Sequence, residues 1–120
     1  MNYAITKHDK YSLLKLTPGA FEGSNLETLK NDCSKLLEGK PYLVFNCAEL
    51  PDLGPAMESF FTSIAEKAAT AGGSVILTDL QDDMMEKMED KGVNCVPTDD
   101  EAADFIFMEQ IESEFFGEEE

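Results

Sequence analysis

The sequence predicts an α/β fold: a mixed β-sheet of about five strands with about four helices, in the order β-β-α-β-α-β-α-β-α. Three observations predict it. Short runs rich in β-branched and aromatic residues recur along the chain, helical apolar stripes separate them, and glycine or proline stands at most of the joints. A hairpin at the start makes the sheet mixed, and the helices between later strands imply right-handed crossovers between parallel neighbours.

The first seventeen residues, NYAITK and KYSLLKLT around His8-Asp9, alternate enough to read as that hairpin. Thr17-Pro18-Gly19 then breaks the strand. Ser24 followed by Glu27 is a capping-box pattern, and Leu26, Leu29, Cys33, Leu36 and Leu37 form one apolar stripe ending at Gly39. A helix over about 24–38 follows from these signals. PYLVFNCA is a continuous apolar run of the kind that helices cover on both faces. Pro55 suits the first turn of a second helix, where no amide donor is needed, and Met57, Phe60, Phe61, Ile64, Ala65 and Ala68 form its apolar face. Gly72-Gly73 closes that helix, and SVILTDL is another buried strand. Residues 81–91 form a short acidic helix with Met84, Met85 and Met88, read as core filler, ending at Gly92; VNCV gives the last strand. Thr98 with Glu101 repeats the capping box and starts a helix through Ala102, Phe105, Ile106, Met108 and Ile111, before the SEFFGEEE tail.

At 120 residues and 42% hydrophobic content, the chain is long enough to bury a core without metal or disulfide staples. The pattern assigns residues 1–113 to a single domain and 114–120 to an acidic C-terminal tail. The formal charge is −16, all nine basic residues are Lys, and Arg is missing. The imbalance is uneven: residues 1–40 carry +1, residues 41–80 carry −4 and residues 81–120 carry −13. Such a field repels nucleic acid and anionic membranes, and without guanidinium groups the usual bidentate clamp on phosphate is lost. Cys33, Cys47 and Cys95 lie far apart with no ligand-like spacing, which argues against a disulfide framework or a zinc site and for a reducing cytoplasm. No charged-then-apolar leader opens the sequence and no apolar run approaches a bilayer span, so a cytoplasmic protein without membrane insertion is expected.

The order of elements, with the residues at their joints, resembles the STAS family of bacterial anti-sigma factor antagonists. The residues carrying the resemblance are the hairpin YAITKHDKYSLLKL, the strand YLVFN running into a loop and helix, AATAGGSVILTDL, and TDDEAADFIFMEQIE. The resemblance implies a STAS-like fold and a non-enzymatic regulatory module that binds a protein such as an anti-sigma factor or another signalling protein. In the family, the strand matching YLVFN ends in Asp, and an Asp-Ser-Ser-Gly motif at the next helix start carries a serine that a partner kinase phosphorylates. Counting forward from Asn46 and back from Gly72 places that motif on Gly54-Pro55-Ala56-Met57 without a gap. Ala56 then stands at the phosphoacceptor position and Asn46 at the strand-end Asp. A competing register on Asp52-Leu53-Gly54-Pro55 needs a deletion and an insertion, and it supplies no serine either.

The resemblance therefore implies an interaction surface at Asp52, Gly54, Pro55, Ala56, Glu58 and Ser59, engaged independently of phosphorylation. Ser59 and Ser63 lie further along the helix on its polar side and read as solvent-facing residues. Two alternatives belong to other classes. One is a STAS domain that senses a small ligand or nucleotide, against which the missing Arg, the −16 charge and the absence of a glycine-rich phosphate loop all weigh. The other is a self-associating or transporter-accessory STAS subunit, with a homodimer formed through Phe115 and Phe116. His8 reads as a surface turn residue, the cysteines as small buried hydrophobes, and the acidic cluster at 79–92 lacks the ligand alternation of a calcium loop. No catalytic constellation, cofactor motif or metal site is expected.

Overall fold

The computed structural model of the chain describes residues 2–52 and 54–117, with side chains through residue 112. Strands β1 (Tyr3–Lys7) and β2 (Ser12–Leu16) form the antiparallel hairpin, with Ile5 opposite Leu14. After a 3₁₀ turn at Pro18–Phe21 come α1 (Ser24–Gly39), β3 (Tyr42–Asn46), α2 (Pro55–Thr70), β4 (Ser74–Thr78), α3 (Asp82–Asp90), β5 (Asn94–Val96) and α4 (Asp99–Gly117). The sheet order is β1-β2-β3-β4-β5, and every pairing after the hairpin is parallel. This is the predicted mixed sheet, with the predicted element order.

The central strand β3 is buried at all five positions because helices cover both of its faces. Period-two alternation sends Leu43 and Phe45 to one side and Tyr42 and Val44 to the other. The larger core gathers Leu29, Cys33 and Leu37 of α1, Phe60, Phe61 and Ile64 of α2, and Met84 and Met88 of α3. Phe45 meets Phe60 and Phe61 edge-on at 5.6 and 5.5 Å between ring centroids, which fixes α2 against the strand. On the opposite side α4 packs on the sheet, through Ala102 and Ile106 against Tyr42, Val44 and Ile76.

One local expectation is corrected. Gly23, at φ 53°, is the N-cap of α1, and Ser24 is already the first helical residue; no side chain caps this helix. A left-handed backbone there favours glycine, and it draws the helix start one residue ahead of the capping-box pattern. In α4, Phe105, Met108 and Ile111 are exposed, because one helix resting on a sheet buries only a narrow stripe, here Ala102 and Ile106. At Thr98 the capping bond does form: Thr98 Oγ1 accepts from the Glu101 amide at 3.2 Å, and its hydroxyl, rather than its backbone amide, donates to the Glu101 carboxylate at 3.3 Å. Among the described residues, no helix is long and apolar enough to cross a membrane.

Candidate functional site

The three central parallel strands end together, and β3 leads from there into α2. Asn46, the last residue of β3, points to the α4 side and is nearly buried. Its side-chain amide donates to Asp79 Oδ2 at 2.8 Å and to both oxygens of Asp99 at 3.1 Å, and its Oδ1 accepts from the Ala48 amide at 3.0 Å. Thr78, fully buried at the end of β4, donates its hydroxyl to Asp99 Oδ1. Asp79 adopts φ 57°, a left-handed conformation that Asp tolerates better than most residues, and its amide donates to Pro97 O at 3.1 Å. One amide thus sits between two carboxylates, and both of its N–H groups have acceptors. Burial raises the nearby phenol of Tyr11 above its usual range, with Asp99 and then Asp100 adding to it.

Beyond Asn46 the loop is tied down at both ends. The Cys47 amide donates to Thr78 O at 2.9 Å, continuing the ladder one residue past the strand, and the Leu50 amide donates to Cys47 O at 3.0 Å. Leu50 is buried, so an apolar plug anchors the loop to the core. At the other end Gly54 is the extended N-cap of α2, without side-chain capping, and its carbonyl accepts from the Met57 and Glu58 amides, each at 3.1 Å. Pro55 occupies the first helical position, as its fixed φ favours. Glu58 lies in the first turn, where the helix dipole favours an acid, and its carboxylate is 3.9 Å from Lys91 Nζ.

Of the predicted surface residues, the structure brings Gly54, Pro55, Ala56, Glu58 and Ser59 together in consecutive turns of backbone. Pro55, Ala56 and Ser59 are exposed, Gly54 and Glu58 half-buried, and Asp52 is exposed on the loop that leads in. This ridge separates two grooves. One lies against α1 and brings Lys30 and Lys67 beside Ala56, Ser59 and Ser63; the other runs from Pro55 and Glu58 toward Lys91. Ser63 is exposed like Ser59, as the polar side of the helix requires. Sequence reasoning singled out Asn46 but missed its partners Thr78, Asp79 and Asp99, and it missed the pairing of Lys30 with Lys67 across one groove. The only forward signal was that both Asp79 and Asp99 stand at joints of elements.

The remaining candidates carry no assembled chemistry. His8 stacks on Tyr11 at 4.6 Å, with their planes 17° apart, in the hairpin turn. Burial pushes the Cys33 thiol up to about 12, with Asp32 adding to it; Cys95 is pushed up to about 12 by burial and then Glu89, and Cys47 is raised for the same first reason. Among the described residues, no group of three or more His, Cys, Asp or Glu side chains is placed to hold a metal ion. Phe115 and Phe116 lie outside the residues whose side chains are described.

No family model matches the chain, and no curated protein matches it by sequence. Its fold, however, is shared with solved structures. A serine-to-glutamate variant of RsbS from Moorella thermoacetica superposes with a TM-score of 0.72 at 15% identity, over 88% of this chain and 95% of that one. A chain from the molecular architecture of the stressosome, a signal integration and transduction hub, superposes with a TM-score of 0.70 at 14% identity, over 86% of this chain and 95% of that one. The chain therefore has a STAS-like fold.

Proposed function

We propose that the chain is a non-enzymatic, cytoplasmic regulatory module whose protein partner docks on the Gly54–Ser59 ridge, and that phosphorylation does not control this docking. The observation that carries the proposal is the state of Ala56. It is exposed at the start of α2, on an anchored loop that leaves the central strand, and it offers no hydroxyl. The fold likeness to RsbS and to a stressosome chain supports a partner that is itself a signalling protein, such as an anti-sigma factor. Rigidity supports binding as well: the Leu50 plug and the aromatic packing beneath α2 present the ridge with little ordering cost.

A phosphoryl group at a helix start would gain from the dipole and would place about two negative charges on the docking face. Ala56 removes that device while the helix start is retained through Pro55. Ser59 is the nearest hydroxyl on the ridge, one turn further in. Incubating the purified protein with a cognate anti-sigma kinase and ATP, followed by intact-mass measurement, tests the proposal. The mass is expected to stay unchanged while the complex forms, and phosphate anywhere on the loop or the first turns of α2 would sink the switch-free part of it.

A further inference from the structure

A second surface lies on the other side of the sheet. Four of the five large apolar side chains exposed among the described residues belong to α4: Phe105 at 36%, Phe107 at 58%, Met108 at 55% and Ile111 at 42%. At 100° per residue, Phe107, Ile111 and Met108 fall on one arc, opposite the sheet-facing pair Ala102 and Ile106. Singly exposed apolar residues need no explanation, but a cluster over two turns of one helix marks a contact surface. Grooves run along both flanks, one toward Val96 on β5 and the other toward Tyr11 after the hairpin turn.

The charges around the cluster state what can cover it. Asp100, Glu101, Asp104 and Glu112 are exposed along α4, and no Lys or Arg occurs after Lys91. Glu109, in the groove beside β5, accepts from Ser74 Oγ at 2.6 Å through one oxygen, while its other carboxylate oxygen is buried and meets no donor among the described residues. Lys10 lines the groove on the hairpin side, but α4 itself carries only acids, and an apolar stripe on an acidic helix is complementary to an apolar stripe with a basic border. A second copy fits poorly, because a two-fold contact through this helix would set Asp104 and its acidic neighbours against the same acids. Anionic membranes are repelled for the same reason.

We propose that the outer face of α4 docks a basic amphipathic helix of a protein partner, its apolar side on Phe107, Met108 and Ile111 and its Lys or Arg side chains over Asp104 and Glu112. A stripe about one and a half turns long with grooves on both sides has the shape that helix-on-helix packing needs. This face is opposite the one that carries α2, so a partner here leaves the Gly54–Ser59 ridge open, and the two proposals stand or fall separately.

The test titrates the isotope-labelled full chain with a designed Leu/Lys helical peptide of about 15 residues, at about 0.15 M salt, followed by NMR. Shifts are expected on residues 104–112. A Phe107→Ser/Met108→Ser chain should bind at least about tenfold more weakly, and a peptide of the same composition with its leucines scattered around the helix should lose a similar factor. A second variant, Asp104→Asn/Glu112→Gln, touches no apolar contact and should weaken binding and flatten its salt dependence. Shifts confined to another surface, or equal affinity for the scattered peptide, would overturn the proposal. Sedimentation of the unliganded chain gives the last outcome: a monomer is expected, and a dimer that the Phe107/Met108 double substitution dissolves would reassign this face to a second copy.

Discussion

The side-chain amide of Asn46 donates to both carboxylate oxygens of Asp99, each at 3.1 Å, and so joins the end of the central strand to the first turn of α4. The same amide reaches Asp79, so a single neutral group separates two acids at the sheet's edge of exit. Replacing it leaves those acids without their shared donor, at a cost of about 1–3 kcal/mol. Asn46→Ala is therefore expected to lower stability by about 2 kcal/mol, and Asn46→Asp by more, since it adds a third carboxylate. Urea unfolding of both variants checks the order. Millimolar magnesium or calcium should recover part of the loss in the Asp variant alone, because only there do three carboxylates converge.

Gly73 predicts a contrast with its neighbour. A Cβ at Gly73 would lie 1.9 Å from Pro41 O, the same carbonyl that accepts from the Ser74 amide at 3.1 Å. Backbone cannot yield there without breaking the entry to β4. Gly72 meets nothing within 4 Å but holds φ 91°. Gly72→Ala is expected to cost about 1 kcal/mol of backbone strain, whereas Gly73→Ala should cost more than about 3 kcal/mol or prevent folding. Thermal melting of the two variants, compared side by side, decides it.

The buried thiols set a limit at alkaline pH. In an unfolded chain they ionise near about pH 8.5, while burial raises Cys33 and Cys95 to about 12 in the folded state and raises Cys47 as well. Above about pH 8.5 the folded chain therefore holds more protons than the unfolded one, so stability falls as pH rises toward about 12. Below that window these thiols add no slope. The urea midpoint is expected to drop between about pH 8.5 and 10.5, and less steeply in Cys95→Ala. Tyr3, raised first by burial and then by its hydrogen bond to Asp32, and Tyr42, raised by burial and Glu109, act with the same sign at higher pH. Ellman's reagent at pH 8 should modify Cys95 first, since it alone of the three is not fully buried.

Ala56 gives the fourth expectation. The residue is exposed in the first turn of α2, so Ala56→Ser should change stability by less than about 0.5 kcal/mol. That variant regains a hydroxyl where the STAS resemblance places the phosphoacceptor. Ala56→Glu should stabilise the helix by about 0.5 kcal/mol through the dipole yet weaken partner binding about tenfold, by placing a fixed charge on the ridge. Calorimetry against an identified partner, with unfolding curves as the control, separates the two effects. Equal partner affinity for the Glu variant would place the docking surface elsewhere.

The strands were legible where apolar runs were continuous. YLVFN and SVILT stand as β3 and β4 because burial on both faces leaves no room for polar residues except at their ends. The start of α1 was not legible to the residue, since a glycine cap and a serine box compete within two positions. For α4 the pattern itself is silent: Phe105, Ile106, Phe107 and Met108 are consecutive, so the sequence marks a helix but not which side meets the sheet. At the site, the missing hydroxyl at Ala56 could be read locally. The bridging role of Asn46 could not, because its partners lie 33 and 53 residues away. Such a contact exists only once the sheet has brought the strand ends together.

The sheet's spatial order is also its order along the chain, from β1 to β5. No strand has to be slipped between two that are already paired, so each new strand can join the growing edge as it leaves the ribosome, at the lowest loop-closure cost that a parallel sheet allows. Helix α4 is the exception. Val44 and Ile76 wait for Ala102 and Ile106, which follow all five strands along the chain, so one face of the sheet stays wet until α4 has been made. A nascent chain stalled before α4 would show that face to chaperones, and emergence of this helix would be the step that ends their hold.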